Sequence, residues 1–195
     1  MPRDGGPARL RLQQAALDLY AERGFDQVTT AEIAARAGVT ERTFYRHFAD
    51  KREVLFDGEK TLRDALAAGV AGAPEGLAPL PTVLWTLRTV VVPVLEGNRS
   101  FSEPRHRVIT ATPALRERDQ AKKAALTEAL ATALRDRGAS ESTASLAAHV
   151  GMAAFGHASI AWLDHPDRSL DELIREAFED LHGLTVPLAA VDDPV

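Results

Sequence analysis

The sequence predicts an all-α fold, and three observations carry that reading. Apolar residues recur at three- and four-residue spacing along most of the chain. Hydroxyl and acidic caps open those stretches, and glycine or proline closes them. No run alternates in the strand manner for long enough to matter, and neither a repeat nor a low-complexity tract is present. At 195 residues, 45% hydrophobic and 26% charged, the chain can bury a substantial core as one domain with a smaller one appended.

Leu12, Ala15, Ala16, Leu19 and Tyr20 form the first helical stripe, which Gly24 ends. Asp50 with Glu53 three residues on reads as a capping pair opening a further helix, whose apolar side is Val54, Leu55, Leu62 and Leu66. That helix would link the N-terminal part to the rest. Residues 71–81 carry Gly and Pro and read as a loop. A helix is expected over about 82–95 with Pro93 ending or kinking it, then a short one over about 103–110. Thr112-Pro113 is a hydroxyl cap followed by proline at the first helical position, and that helix should run to Gly138. Ser140 opens the next, to about Leu163. Ser169 with Glu172 caps the last, which carries Leu173, Ile174, Ala177, Phe178 and Leu181.

The stretch from Thr29 to Phe48, TTAEIAARAGVTERTFYRHF, is the most informative. Thr29 and Glu32 make a capping box, so a helix starts near Thr30. Ile33, Ala34 and Ala37 give it a narrow apolar face of small residues. Gly38 supplies the left-handed backbone of a tight turn, Val39 plugs it, and Thr40 caps a second helix from Glu41. Phe44 and Phe48 bury that helix and leave Arg42, Thr43, Tyr45, Arg46 and His47 at or near its outer face. Two short helices, a tight turn and a basic, hydroxyl-rich second helix are the pattern of a helix-turn-helix. An ordinary helical hairpin with solvated charges is the bland alternative.

The net charge of −5 divides unevenly. Up to Phe56 there are nine Lys/Arg against eight Asp/Glu, and beyond it fourteen against twenty. The N-terminal part is only weakly basic, so DNA affinity must depend on where Arg3, Arg9, Arg11, Arg42, Arg46, Lys51 and Arg52 sit. So small a basic footprint also argues for two copies acting together.

These residues carry a family resemblance. Residues 12–56 resemble the DNA-binding domain of the TetR family of bacterial transcriptional regulators. The matching positions are Arg23-Gly24-Phe25-Asp26, Thr29, Glu32-Ile33-Ala34, Ala37-Gly38-Val39-Thr40, Thr43-Phe44-Tyr45-Arg46-His47-Phe48 and Lys51. The resemblance implies an N-terminal three-helix DNA-binding domain, placed at residues 1–50, and a helical effector-binding and dimerisation domain over 51–195. By family position, Thr29 and Thr40 would hold phosphates with hydroxyls and helix N-terminal N–H groups. Tyr45, His47 and Lys51 would add backbone contacts. Arg42 and Thr43 are the candidate base readers, with Arg46 on a base or a phosphate. Many family members carry a small residue where Arg42 stands.

Residues 146–163 are apolar nearly all round, as in a helix buried on most sides. The run is short for a membrane span, which takes about 20 residues, and it contains His149 and His157, so no membrane partner is expected. Gly151, Ala154, Ala158 and Ala161 permit close helix approach. Beside Leu173, Ile174, Phe178 and Leu181 they suggest a four-helix homodimer interface, which the resemblance also implies; a simple monomer core is the alternative. Trp85, Phe101, Met152, Phe155 and Trp162 are candidates to line an effector pocket, with Arg105, His106 or Arg116 as polar anchors, although such residues equally serve cores. The segment 107–116 and Trp162-Leu163 also look like a TetR subgroup that takes acyl-CoA-like ligands.

Other classes find little support. Zero Cys removes disulfides, thiolate metal sites and cysteine catalysis; six His without an HExxH pattern give no metal expectation, and no cofactor is expected. The enzyme motifs G-x-S-x-G, the Walker loop and GxGxxG are missing from the sequence. Residues 2–9 lack a signal-peptide pattern, so a cytoplasmic protein is the expectation. The chain therefore reads as a ligand-responsive, sequence-specific repressor of transcription. It would bind a pseudo-palindromic double-stranded operator and release it for a small lipophilic or acyl-type effector. The alternative is a helical small-molecule-binding protein whose helix-turn-helix serves protein contacts.

Overall fold

The structure is a computed structural model, and it describes residues 6–184. These residues are helical throughout, with loops between: α1 (Gly6–Arg23), α2 (Thr30–Arg36), α3 (Glu41–His47), a 3-10 turn (Glu53–Leu55), α4 (Glu59–Gly72), α5 (Pro79–Thr86), a π-helical segment (Leu87–Val91), α6 (Val92–Glu96), α7 (Arg99–Ala111), α8 (Pro113–Asp136), α9 (Glu141–Asp164) and α10 (Leu170–Leu184). Two compact units emerge. One takes in residues up to Glu59 together with Asn98–Ala124; the other takes in Lys60–Gly97 and residues from Ala125 on.

The core of the first unit is built by α1, α2, α3, the 3-10 turn and α7. Leu12, Ala16, Ile33, Phe44, Val54, Phe56 and Leu115 are buried there, with Val108 and Ile109 of α7 in the same cluster. Filling such a position with a Leu, Ile or Phe side chain contributes about 1.5–3 kcal/mol relative to leaving it exposed. Tyr20 closes the unit near the loop: its hydroxyl donates to the Lys51 carbonyl at 2.6 Å, and burial pushes its phenol well above the usual range.

In the second unit, α9 and α10 pack along each other, and α5 packs on α9. Gly151 makes the second contact close, since a Cβ there would lie 2.5 Å from Val83 Cγ1. The C-terminal end of α4 is closed by Arg137, whose guanidinium donates to the carbonyls of Val70, Ala71, Ala73 and Pro74 at 2.6–3.3 Å. Four helix-end and loop acceptors are thereby satisfied by one side chain.

Three elements differ from the sequence reading. Asp50 does cap, accepting from the Arg52 and Glu53 amides at 2.7 and 3.1 Å, but it opens only the 3-10 turn. Val54, Leu55 and Phe56 all turn into the core, Asp57 is held by Arg9 and Gln13, and a turn at Gly58 (φ 78°) precedes the start of α4. The expected helix over 82–95 starts earlier, at Pro79, and widens into the π-helical segment. Pro93 has no N–H for the carbonyl four residues back and its ring crowds that turn, so widening relieves the clash without ending the helix. Likewise α7 begins at Arg99 and accommodates Pro104 in its first turns.

Candidate nucleic-acid interface

The geometry of the helix-turn-helix follows from its caps. Thr29 Oγ1 accepts from the Glu32 amide at 3.3 Å, and the Glu32 carboxylate accepts from the Thr29 amide at 2.8 Å. Arg23 joins this box 2.9 Å from Glu32. Hydrogen bonds from Thr29, and then Arg23, hold the Glu32 carboxyl down at about 2. Arg11 of α1 donates to the Ala37 carbonyl at 3.1 Å and closes the end of α2. Gly38 takes φ 67°, and the Val39 amide returns to the Ala34 carbonyl at 2.9 Å, completing the turn. Thr40 then caps α3, accepting from the Thr43 amide at 3.2 Å. A side chain at Gly38 would have to adopt a left-handed backbone that L residues rarely take.

Phe44 is fully buried and Phe48 nearly so, which fixes the rotation of α3. Arg42, Tyr45 and Arg46 are then exposed, and Thr43 half-buried. Tyr45 is 55% exposed, far more than a tyrosine used only for packing; its ring meets Phe44 edge-on. Its hydroxyl lies 3.1 Å from that of Thr30, which donates to Glu41 at 2.6 Å. Thr29, Thr40, Arg42, Thr43, Tyr45 and Arg46 thus lie on two short helices and their caps, with polar groups at the surface.

Lys51 and His47 are more enclosed than the others. The Lys51 ammonium donates to the carbonyls of Phe25 and Val28, both at 2.9 Å, and lies 4.3 Å from the centre of the Phe25 ring. It pins the loop that leads into Thr29 and keeps one N–H for another acceptor. His47 Nε2 is buried with no hydrogen-bond partner, and burial, then Arg46 and Arg9, push its imidazole below the ordinary value. A neutral ring is the form expected at pH 7.

Arg9 and Arg11 turn out to be structural partners. Arg9 pairs with Asp57 and lies over the Phe48 ring. Arg52 pairs with Asp50 at 2.8 Å, and Arg3 falls outside the described residues. Sequence reading missed Thr30, although the adjacent threonines Thr29-Thr30 were a visible signal. The Arg9–Asp57 pair joins residues 48 apart and left none.

The candidate pocket residues do not all come together. Met152, Phe155 and Trp162 belong to the second unit's core, where Trp162 is 3% exposed; Trp85 is half-buried on α5 of the same unit. Phe101 packs against the first unit's core instead. Among the suggested anchors, Arg105 also lies in the first unit, donating to the Leu55 carbonyl at 2.6 Å with its guanidinium over Phe56.

The small residues of α9 are used inside the chain. Gly151, Ala154 and Ala158 are buried within this one protomer, as are Leu173 and Ile174 of α10; Ala161, Phe178 and Leu181 are half-buried beside them. The face of α9 left open carries Leu146 (64% exposed), His149, Ala153, His157 and Ile160 (53% exposed). The sequence concealed this choice of face because the helix is apolar on every side.

A tight turn between capped helices, with a polar second helix facing outward on a helical frame, defines a helix-turn-helix protein of the DNA-binding class. Comparisons with known proteins agree. Residues 12–57 match the family described as bacterial regulatory proteins, tetR family, and residues 86–184 match the MftR C-terminal domain. The chain belongs to the TetR family. It is 34% identical over 89 residues to the HTH-type transcriptional regulator TcmR of Streptomyces glaucescens, a match covering 46% of this chain and 39% of TcmR. The chain thus spans well under half the length of that relative. It is 26% identical over 171 residues, 86% of either chain, to MftR of Mycobacterium tuberculosis, provisionally described as a mycofactocin biosynthesis transcriptional regulator. The fold also matches Thermus thermophilus FadR, a TetR-family transcriptional repressor in complex with lauroyl-CoA. That match has a TM-score of 0.56 and 22% identity, over 96% of this chain and 98% of the other.

Proposed function

We propose that this protein is a one-component transcriptional regulator that binds a pseudo-palindromic operator as a homodimer and releases it when a small lipophilic or acyl-bearing effector binds. The observation that carries the reading is the outer face of α3. There Arg42, Tyr45 and Arg46 are exposed beside Thr43, on a helix whose rotation is fixed by buried Phe44 and Phe48. Arg42 and Thr43 read base edges, while Thr29, Thr40, Tyr45 and His47 hold phosphates and Arg46 serves either role. Lys51 offers its remaining N–H to the DNA backbone while ordering the loop before α2.

The DNA-binding segment ends near residue 50 and the remainder serves effector and partner. Trp85, Met152, Phe155 and Trp162 supply apolar lining for the effector, and lauroyl-CoA on FadR supports an acyl-bearing class. The second copy docks on the open face of α9, around Leu146, Ala153 and Ile160, with α10 alongside. α9 is long and apolar enough to cross a membrane by length and composition. Pairing with its own copy accounts for that apolar surface, and the protein works in the cytoplasm, where the DNA is.

Selection from a random duplex library tests the reading. Enrichment of a palindrome with fixed half-site spacing supports it. Absence of any DNA binding, after refolding to strip bound ligand, leaves the alternative of a helical small-molecule-binding protein.

A further inference from the structure

The helix proposed to meet DNA opens with an acid. Glu41 is the first residue of α3 and is exposed beside Arg42. Phosphates repel a carboxylate in that place, so its presence calls for a compensating contact. Glu22, Glu32, Asp50 and Asp57 of the same unit are neutralised by Arg36, Arg23, Arg52 and Arg9 respectively. Glu41 has no basic partner of this kind among the described residues. Its Oε1 accepts from the hydroxyl of Thr30, the first residue of α2, at 2.6 Å.

A hydroxyl has a single proton to give, and Thr30 gives its own to the carboxylate. The Tyr45 hydroxyl, 3.1 Å from Thr30 Oγ1, is therefore the donor in that second bond. A directed chain runs from Tyr45 through Thr30 to Glu41 and ties the start of α3 to the start of α2. Tyr45 follows Glu41 by one helical turn, so the two stack on one side of α3. Glu41 Oε2 keeps its lone pairs, with no hydrogen-bond partner among the described residues. An acid in a first helical turn also offsets the helix dipole, but that effect needs no fixed direction. Thr40 already caps α3 through the Thr43 amide. What the Thr30 bond adds is aim.

We propose that Glu41 accepts a hydrogen bond from the N4 amino group of a cytosine in each operator half-site, with Thr30 as the residue that positions it. The proposal rests on the DNA-binding reading above and adds a particular base to it. Residues that open a recognition helix reach base edges in the major groove, where cytosine presents an amino donor. Adenine presents one too, but beside the acceptor N7, and a carboxylate has no proton for N7. Cytosine is thus the base that an acceptor-only side chain selects. A phosphate can draw the Tyr45 proton away without freeing Glu41, because Thr30 remains the donor to the acid. Backbone holding by Tyr45 and base reading by Glu41 are therefore independent.

Selection from a random duplex library, run on the wild-type chain and its variants side by side, tests the assignment. The wild type should enrich a word with cytosine at one fixed position of each half-site. Glu41→Gln, whose amide pairs with adenine N6 and N7, should enrich adenine at that position and keep the rest of the word. Titration with duplexes differing at that base should show a preference of about tenfold for cytosine in the wild type, reversed in Glu41→Gln. Thr30→Val keeps the shape and loses the hydroxyl, so it should blunt the cytosine preference while the other positions stay fixed. Thr30→Ser should restore that preference. A Glu41 that serves only the helix dipole predicts a lower melting temperature and an unaltered word in Glu41→Gln, and that outcome overturns the assignment. A full cytosine preference in Thr30→Val overturns the positioning role. If the wild-type chain enriches no word at all, the regulator reading fails and takes Glu41 with it. The same word from wild type and Glu41→Gln defeats the Glu41 assignment alone.

Discussion

Arg118 grips Glu53 through two hydrogen bonds, at 2.7 and 3.0 Å, and reaches Glu59 with a third at 2.8 Å. One side chain of α8 thereby bridges the 3-10 turn and the first residue of α4, with its guanidinium 5.2 Å from the centre of the buried Phe56 ring. Arg105 lies over the same ring at the same distance. Arg118→Ala leaves two carboxylates unpaired, and charge-assisted bonds of this kind are each worth roughly 1.5–3 kcal/mol. Denaturant unfolding should show a loss of about 2–4 kcal/mol, less than the sum because the carboxylates can turn to water. A loss under half a kcal/mol would mean that the bridge is ornamental.

Lys122 belongs to the same polar cluster, and burial, then Arg105 and Arg118, bring its amine down to about 8 against the pull of Glu59 and Asp119. The unfolded chain keeps its proton up to about 10.4, so between those values the unfolded state binds more protons and stability rises with pH. Below pH 8 both states are charged and the full penalty of burying the ammonium applies. Stability measured from pH 7 to 10 should climb for the wild type, and Lys122→Met should be more stable at pH 7 and lack that climb. Parallel curves for the two proteins would contradict the assignment.

Glu32 titrates with the opposite sense. Its carboxyl is held at about 2, below the ordinary 4.5, so its contribution is complete above about 4.5 and disappears as pH falls toward 2. Glu32→Gln should lose part of this stabilisation at neutral pH and flatten the acid limb of the unfolding curve. Hydrogen exchange at the first amides of α2 should quicken in the variant. Unchanged protection there would show that Thr29 alone suffices as a cap.

Arg42→Ala and Lys51→Ala should separate base reading from backbone contact. Loss of a bidentate arginine–guanine pair costs about 1–3 kcal/mol on the operator and leaves random DNA nearly untouched. Lys51→Ala should weaken both DNAs alike and reduce the salt slope by about one ion. It should also lower the melting temperature, because the Phe25 and Val28 carbonyls lose their donor. Equal losses on operator and random DNA for Arg42→Ala would remove it from the base readers.

Leu146→Glu combined with Ile160→Glu should yield a folded monomer, since both side chains are largely exposed in the single chain. Sedimentation at micromolar concentration would report the change, alongside an unaltered melting profile at high dilution. A dimer surviving both substitutions would direct attention to another face.

The caps were legible in the sequence because each is a local exchange of hydrogen bonds over three or four residues. Thr29 with Glu32, Thr40, Ser140 and Ser169 with Glu172 all act as read, and Gly38 takes the positive φ its turn required. What the sequence concealed depends on distant partners. The helix expected from Asp50 is interrupted by a turn at Gly58, next to an Asp57 held from α1, and periodicity does not encode that distant contact. The outward side of α9 was hidden because apolar residues surround the helix, and its packing on α10 and α5, Gly151 against Val83 included, decides which side turns inward. The engagement of the Lys51 ammonium by two carbonyls was invisible for the same reason.

The brevity of α3 limits how much information one subunit can carry. Seven residues make two turns, and Arg42, Thr43, Tyr45 and Arg46 are among the groups on it that we propose meet DNA bases or phosphates. Such a surface can distinguish a word of roughly four base pairs, which recurs by chance about every 256 positions of a random genome. Two words read together at fixed spacing recur about once in 65,000. On the homodimer proposed above, addressing a single promoter is therefore a property of the pair, and a ligand that disturbs the spacing would erase the address without touching a base contact.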